Sequence, residues 1–168
     1  MTEHPLAEDD PDIRWMAHAH ALAKQAERCG EVPVGCVIVR DGALLAEGSN
    51  RPIATHDPSA HAEMVAMRAA SRSLGTYRLT GSTLYVTLEP CPMCAGAMVH
   101  ARIARLVYAA ADPRAGAAGT VFNIVDHPSL NHRISVRAGV MEELCGEHLR
   151  AFFVRRRRRP PDGASCSA

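Results

Sequence analysis

The chain has 168 residues, of which 47% are hydrophobic and 22% are charged, and its formal net charge is +1. This length fits one domain with a sizeable core, and the longest apolar runs fall far short of the roughly 20 residues that a membrane helix needs. A net charge near zero excludes a general attraction to nucleic acid, so any such contact depends on local clusters. The acidic start has no features of a secretory signal, and we expect a cytoplasmic protein with reduced cysteines.

Both ends differ in composition from the rest of the chain. Residues 1 to 10 are acidic and poor in apolar side chains, and residues 160 to 168 are rich in Pro, Gly, Ser and Ala. We expect disordered tails at residues 1 to 10 and 158 to 168, flanking one domain over residues 11 to 157.

The domain begins with a predicted helix and hairpin. Between Pro11 and Gly30, apolar side chains recur at helical spacing, which predicts an amphipathic helix. The β-branched run over residues 34 to 39 is followed by Asp41-Gly42 and a second apolar run through Ala46. This pattern predicts two antiparallel strands joined by a tight turn.

Helical and strand patterns alternate in the remainder of the domain. We predict helices from about 58 to 74, from about 92, and from about 141 to 156, with strands near 84 to 88, 106 to 110 and 134 to 136. Such alternation indicates crossover connections and a mixed sheet with helices on its faces, which is an α/β fold.

Two short motifs carry metal-binding side chains: His61-Ala62-Glu63 and Pro90-Cys91-Pro92-Met93-Cys94. One imidazole and two thiolates are a normal ligand set for a catalytic zinc, which keeps a fourth position for water. Cys91 and Cys94 are three residues apart at a predicted helix start, so both sulfurs can face one metal while the helix N-terminus favours their thiolate forms. These residues predict a zinc site.

Glu63 has a different expected role, because side chains two residues apart on a helix diverge and Glu63 is therefore a poor fourth ligand beside His61. A carboxylate near zinc-activated water can take a proton and return it to a ring nitrogen and a departing amine. The pairing of H-x-E with P-C-x-x-C is the known signature of zinc-dependent nucleobase deaminases. Alone, a C-x-x-C pair would fit a redox motif, and a zinc ribbon would need a second such pair.

Longer blocks of the sequence resemble the bacterial tRNA-specific adenosine deaminases. The blocks are residues 31 to 35, 48 to 52, 56 to 63, 77 to 79, 84 to 97 and 112 to 119. The resemblance spans roughly residues 12 to 157. It implies a three-layer α/β/α cytidine-deaminase-like fold with a central mixed sheet of about five strands, one Zn²⁺ per subunit and a homodimer. It also implies deamination of adenosine to inosine at the wobble position of a tRNA anticodon stem-loop.

The resemblance assigns roles to single residues. It makes His61, Cys91 and Cys94 the zinc ligands, and it makes Glu63 the catalytic proton shuttle. The pocket for the target nucleoside is assigned to Asn50, Ala62, Leu88, Glu89 and Pro90. Contacts with the anticodon loop are assigned to Asp112, His127, Asn131, Phe152, Phe153, Arg155 and Arg156.

Structural roles stay open for several of these residues. Asn50 could end a strand in a turn, and Asp112 before Pro113 fits ordinary turn chemistry. We expect one of Phe152 and Phe153 to pack inward, and the sequence does not distinguish them.

Two other functions fit part of the pattern. A deaminase of free bases or nucleotides, of the guanine or cytosine type, would share the zinc machinery. A zinc-stabilised RNA-binding module without turnover would have no need of Glu63. The block at residues 112 to 119 and the consecutive arginines from Arg155 to Arg159 favour an RNA-directed enzyme.

Overall fold

The computed structural model describes residues 10 to 158, so residues 1 to 9 and 159 to 168, which hold most of both predicted tails, lie outside the described residues. One residue of each predicted tail, Asp10 and Arg158, lies within the described residues. Asp10 is the N-cap of the first helix and accepts a hydrogen bond from the Asp12 backbone N–H at 2.9 Å, which satisfies a donor that has no partner within the helix. Arg158 ends the last helix, which continues through the basic run.

Five helices and five strands occur in the described residues. The helices are α1 (Pro11–Arg28), α2 (Pro52–Thr55), α3 (Ala62–Leu74), α4 (Pro92–Ala101) and α5 (Glu142–Arg158). The strands are β1 (Gly35–Arg40), β2 (Ala43–Ser49), β3 (Thr83–Leu88), β4 (Arg105–Ala110) and β5 (Ser135–Ala138). Within the described range, no helix combines the length and apolar composition needed to cross a membrane.

The predicted elements all form, with two differences. The short helix α2 was not predicted. The helix predicted from about residue 58 begins at Ala62, because the Asp57 carboxylate holds the preceding residues in a turn. This carboxylate accepts hydrogen bonds from the backbone N–H of Ser59 at 2.8 Å and from its hydroxyl at 2.6 Å.

The strands form one mixed sheet in the order β2-β1-β3-β4-β5. Strand β1 runs antiparallel to its neighbours β2 and β3. Strand β4 runs parallel to its neighbours β3 and β5. The helix α4 connects β3 to β4, as the predicted crossover requires. Leu88 pairs with Ala110 at the carboxyl ends of β3 and β4, and the loops that follow them therefore start side by side.

Helices cover both faces of the sheet, which confirms the three-layer α/β/α fold. Leu84 and Val86 of β3 pack with Met98 in a core shared with α3 and α4. Tyr85 points to the opposite face and packs with Met16 of α1, in a second core that also includes part of α5. This alternation follows from the period of two along a strand.

The buried Asp12 carboxylate ties α1 to three strands. It accepts hydrogen bonds from Arg105 on β4 at 2.6 and 2.8 Å, from the Tyr85 hydroxyl on β3 at 2.8 Å, and from Arg137 on β5. The hydrogen bonds from Arg105 are the largest cause that lowers the pKa of Asp12, to about 2, although burial opposes them. The network therefore stabilises the protein while Asp12 is ionised.

Replacing Asp12 by Asn should lower the free energy of unfolding at neutral pH by about 2 kcal/mol, because the amide cannot neutralise the two guanidinium groups. The folded-state pKa lies below the unfolded value of 3.8, so this stabilisation is present above pH 4 and is lost as the pH falls towards 2. Denaturant unfolding of both proteins over this pH range measures the difference.

The control is Asp41→Asn, since Asp41 lies in the exposed β1–β2 turn at a φ of 52°, which Asn tolerates. A stability difference for Asp12→Asn that stayed constant down to pH 2 would contradict the assignment.

Candidate metal centre

The starts of two helices bring three sequence-predicted ligands together. His61 is the N-cap of α3, Cys91 is the N-cap of α4, and Cys94 lies in the first turn of α4. His61 Nδ1 is 3.6 Å from each of the two sulfurs, and the three ligand atoms all lie within 4.8 Å of one another. Among residues 10 to 158, no other group of three His, Cys, Asp or Glu side chains was found at such spacing.

These distances fit a zinc ion. Zinc binds sulfur at about 2.3 Å and nitrogen at about 2.0 Å, and a tetrahedral angle between the two bonds then separates sulfur from nitrogen by about 3.5 Å. One imidazole N–H can point directly at only one of two thiols, whereas a cation between the groups accounts for two equal distances. The donor set and its spacing therefore suit zinc.

The opposite pKa shifts of the two thiols also suit such a cation. A hydrogen bond from Cys94 is the largest cause that lowers the pKa of Cys91, to about 4. The same hydrogen bond and burial raise the pKa of Cys94, because a second thiolate beside the first is unfavourable. A divalent metal removes this conflict, since both sulfurs can then be thiolates.

Strand β2 determines where α3 starts. A Cβ atom at Gly48 would lie 2.5 Å from the Ala62 carbonyl oxygen, so only glycine permits this approach of helix to strand. The Asn50 side-chain oxygen accepts a hydrogen bond from the Ala62 N–H at 2.8 Å, and the Asn50 backbone N–H donates to the Val34 carbonyl at 3.1 Å. Asn50 thus holds the backbone of Ala62, which lies between His61 and Glu63, near the end of β2.

Glu63 is almost fully buried, with 4% of its surface exposed. Burial is the largest cause that raises the pKa of Glu63, to about 7, and the charge of Cys91 adds to it. A carboxyl group with a pKa near neutrality can both take and return a proton at neutral pH. Its environment suits the proton-shuttle role that the resemblance implies.

Glu31 was missed by the sequence analysis, although it lies in one of the similar blocks. Its carboxylate is buried and accepts hydrogen bonds from the backbone N–H groups of Ile53 at 3.3 Å and Ala54 at 2.8 Å. It thereby holds the start of α2, which directly follows the Asn50-Arg51 pair. Burial of its carboxylate is the feature that identifies Glu31, and no local pattern in the sequence shows this burial.

The turn at Leu88, Glu89 and Pro90 connects β3 to the Cys91 ligand. Glu89 is 2% exposed, and its carboxylate accepts hydrogen bonds from the backbone N–H groups of Asp112 and Ala118, each at 3.0 Å. Its side chain is thus directed into the loop after β4.

Asp112 has the turn role that the sequence allowed for it. Its side chain accepts hydrogen bonds from the N–H groups of Arg114 at 2.9 Å and Ala115 at 3.3 Å. Two other assigned residues lie further along this connection to β5. His127 Nδ1 accepts from the Ser129 N–H at 3.2 Å, and the Asn131 side-chain oxygen accepts from Arg102 at 2.9 Å.

The structure distinguishes the two phenylalanines of α5. Phe152 packs inward with 8% of its surface exposed, whereas Phe153 is 41% exposed, and the two rings meet edge to face at 5.4 Å between centroids. Arg156 lies over the Phe152 ring at 5.7 Å, and Arg155 pairs with Glu27 of α1. Of these two rings, Phe153 is therefore the one available to a partner.

The chain matches known proteins over most of its length. A family model for the cytidine and deoxycytidylate deaminase zinc-binding region matches residues 9 to 110. The tRNA-specific adenosine deaminase of Haemophilus influenzae is 48% identical over 147 residues, which cover 87% of this chain and 85% of the relative. That of Bacillus subtilis is 47% identical over 142 residues, which cover 84% and 88%.

Solved structures agree with these matches. A structure from a study of A-to-I editing by tRNA:A34 deaminases at the wobble position of transfer RNA has a TM-score of 0.78 and 41% identity, covering 80% of this chain and 98% of that chain. A guanine deaminase from Nitrosomonas europaea has a TM-score of 0.71 at 24% identity, covering 84% of each chain. This second likeness shows the fold alone.

Replacing Cys91 or Cys94 by Ser should weaken zinc binding by more than roughly 100-fold and lower the melting temperature, because metal binding is coupled to folding of the site. Metal analysis and thermal unfolding of purified variants measure both effects. Cys145→Ala is the matched control, since Cys145 is a buried cysteine of α5 outside the cluster and should keep its zinc. Full zinc content in both Ser variants would rule out the ligand assignment.

Proposed function

We infer the function from one premise: the chain belongs to the zinc-binding cytidine and deoxycytidylate deaminase family and, within it, to the tRNA-specific adenosine deaminases. The protein is a hydrolase that converts adenosine to inosine at the wobble position of a tRNA anticodon. The structural observation that carries this conclusion is the buried Glu63 next to the His61, Cys91 and Cys94 cluster. A zinc site without catalysis is closed by a fourth protein ligand and needs no neighbouring acid, whereas this cluster offers three ligands.

The catalytic roles follow from this arrangement. His61, Cys91 and Cys94 would hold the zinc, whose Lewis acidity would make a water molecule acidic enough to react at neutral pH. Glu63 would take a proton from the water that attacks C6 of adenine and deliver it to N1. It would then take the proton of the new C6 hydroxyl and pass it to the exocyclic nitrogen as the C6–N bond breaks, so that inosine and ammonia are the products.

We assign the nucleoside pocket to the groups that surround this centre: Asn50, Ala62 and the turn from Leu88 to Pro90. Asn50 contacts Ala62 through its side-chain oxygen, and its amide NH₂ group is a separate donor that can address the substrate. Such positioning of a base flipped out of its stack is what deamination requires. Glu89 contributes to the pocket through the backbone of its turn, since its carboxylate is directed elsewhere.

We assign the surrounding RNA contacts to exposed or half-buried groups on the loop after β4 and on α5. Asp112, His127 and Asn131 belong to the loop, and Phe153, Arg155 and Arg156 belong to the helix. An exposed aromatic ring can stack on an unpaired base, and guanidinium groups can neutralise phosphates. Arg155 remains exposed beside Glu27, with 59% of its side chain accessible.

We propose that two copies of the chain associate through the face formed by α3 and α4. A groove on this face is lined by Met64, Met67 and Ala97, and Tyr77 at its edge is 63% exposed. Methionine and tyrosine are enriched in protein interfaces.

Because tRNA is the substrate, we also propose that the protein acts in the cytoplasm.

Glu63→Gln should keep zinc content and thermal stability near the wild-type values while deamination falls by roughly 10²- to 10⁴-fold, because the amide cannot shuttle protons. Inosine formed in an anticodon stem-loop and ammonia released are the measurements. Activity retained per bound zinc would show that Glu63 is not the proton shuttle.

The same assay separates RNA-directed from free-base chemistry. Wild-type protein should form inosine in the stem-loop and turn over adenine, guanine and cytosine poorly. Efficient release of ammonia from a free base, with no stem-loop activity, would establish the free-base alternative.

Replacing Arg156, Arg157 and Arg158 together by Gln should weaken stem-loop binding and flatten its salt dependence, because fewer phosphates are neutralised. Each lost phosphate contact should reduce the slope of log K against log salt by roughly 0.7 to 0.9. The matched control is the triple Lys variant, which keeps the charges. Zinc content should not change in either protein, and an unaltered slope in the Gln variant would exclude these arginines from RNA binding.

A further inference from the structure

The carboxylate of Glu89 is enclosed by the loop after β4, and the catalytic roles given above assign it no function. Its side chain accepts three backbone hydrogen bonds from the segment after β4: from Asp112 at 3.0 Å, Ala118 at 3.0 Å and Thr120 at 3.1 Å. Among the described residues, the hydrogen-bond partners of its carboxylate are these backbone N–H groups. Glu89 is only two residues before the Cys91 ligand.

The loop is shaped to enclose this carboxylate. A Cβ atom at Gly116 would lie 2.2 Å from Glu89 Oε2, so a larger residue at this position would displace the carboxylate. Backbone contacts continue on both sides, because the Glu89 N–H donates to the Ala110 carbonyl at 2.8 Å and the Ala117 N–H donates to the Pro90 carbonyl at 2.8 Å. The loop is thus attached directly to the turn that carries a metal ligand.

A carboxylate suits all three donors. It offers two acceptor oxygens and no hydrogen, whereas a carboxamide presents its NH₂ group to at least one of the three N–H groups. Glu89 Oε1 receives Ala118 and Thr120, and Oε2 receives Asp112. Charge-assisted hydrogen bonds of this type are stronger than neutral ones, and they hold the loop at a defined distance from the metal centre.

The enclosed loop presents exposed groups at its tip. The backbone of Phe122 is held on both sides, by its N–H to the Gly116 carbonyl and by its carbonyl to the Gly119 N–H, each at 2.9 Å. The side chains of Val121 and Phe122 are 45% and 49% exposed, respectively. A fixed backbone with exposed apolar side chains can contact unpaired bases without a large ordering cost.

We propose that Glu89 is a positioning residue, whose carboxylate holds the loop of residues 112 to 122 against the Cys91 turn so that bound RNA is presented to the metal centre. The proposal rests on the tRNA deaminase function given above. It differs from a pocket role for Glu89, since the side chain acts through the loop and does not touch the substrate.

Glu89→Gln tests the proposal, because it keeps the shape of the side chain and removes its charge. We expect the KM for an anticodon stem-loop to rise by roughly 10-fold or more, one to two lost charge-assisted hydrogen bonds being enough for such a change. We expect kcat to change much less and zinc to stay at one ion per chain. The salt slope of RNA binding should equal that of wild type, since the phosphate contacts lie elsewhere.

Asp41→Asn makes the same chemical change at the exposed β1–β2 turn and should leave KM unaltered. Gly116→Ala is the second variant, which displaces the carboxylate from the other side and should raise KM in the same way if Glu89→Gln does not fold. An unchanged KM in a folded, zinc-loaded variant would overturn the proposal. So would a loss of activity that matches a loss of zinc, since this outcome indicates a purely structural role.

A readout without RNA keeps this test separate from the proposed function. Amide hydrogen exchange at Ala118 and Thr120 should be slow in wild type and faster in Glu89→Gln, because their acceptor is weakened. If wild type forms no inosine in any stem-loop, the function fails while exchange still reports on the attachment of the loop. Equal exchange in both proteins would overturn the positioning role directly.

Discussion

The active centre depends on the meeting of two helix N-termini at one side of the sheet. Backbone N–H groups in the first turn of a helix have no partners within it, and they favour negative charge nearby. His61 and Cys91 occupy the N-caps of α3 and α4, so the ligands lie where thiolates are stabilised. The sheet sets the distance between these two helix starts, because β2 positions α3 and β3 leads directly into α4.

Buried carboxylates then hold the surrounding segments. Glu31 holds the start of α2, Glu89 holds the loop after β4, and Asp12 joins α1 to β3, β4 and β5. In each case the charge is compensated by several donors, which a buried carboxylate requires. Glu31 and Glu89 accept from backbone N–H groups, so their hydrogen bonds depend on the conformation of the segments that donate them. Loop geometry and metal-centre geometry are thereby coupled through short stretches of chain.

The division between chemistry and substrate choice follows the same architecture. The candidate ligands and Glu63 lie at helix starts packed against the sheet. Groups assigned to RNA lie apart from these helix starts, on the loop after β4 and on α5. A rigid centre with a separate recognition surface lets one reaction type serve different substrates, since the surface can vary without moving the ligands.

The sequence alone determined the two metal-binding motifs and the order of the predicted helices and strands. The ligands and Glu63 come from two contiguous motifs, and the sheet elements from regular apolar patterns, so local reading was sufficient. Only the tertiary structure decided that Phe152 packs inward, that Asp10 caps α1, and that Glu89 faces a loop more than 20 residues away in the chain. The physical reason is that burial and hydrogen-bond partners depend on residues distant in sequence, which no local periodicity encodes.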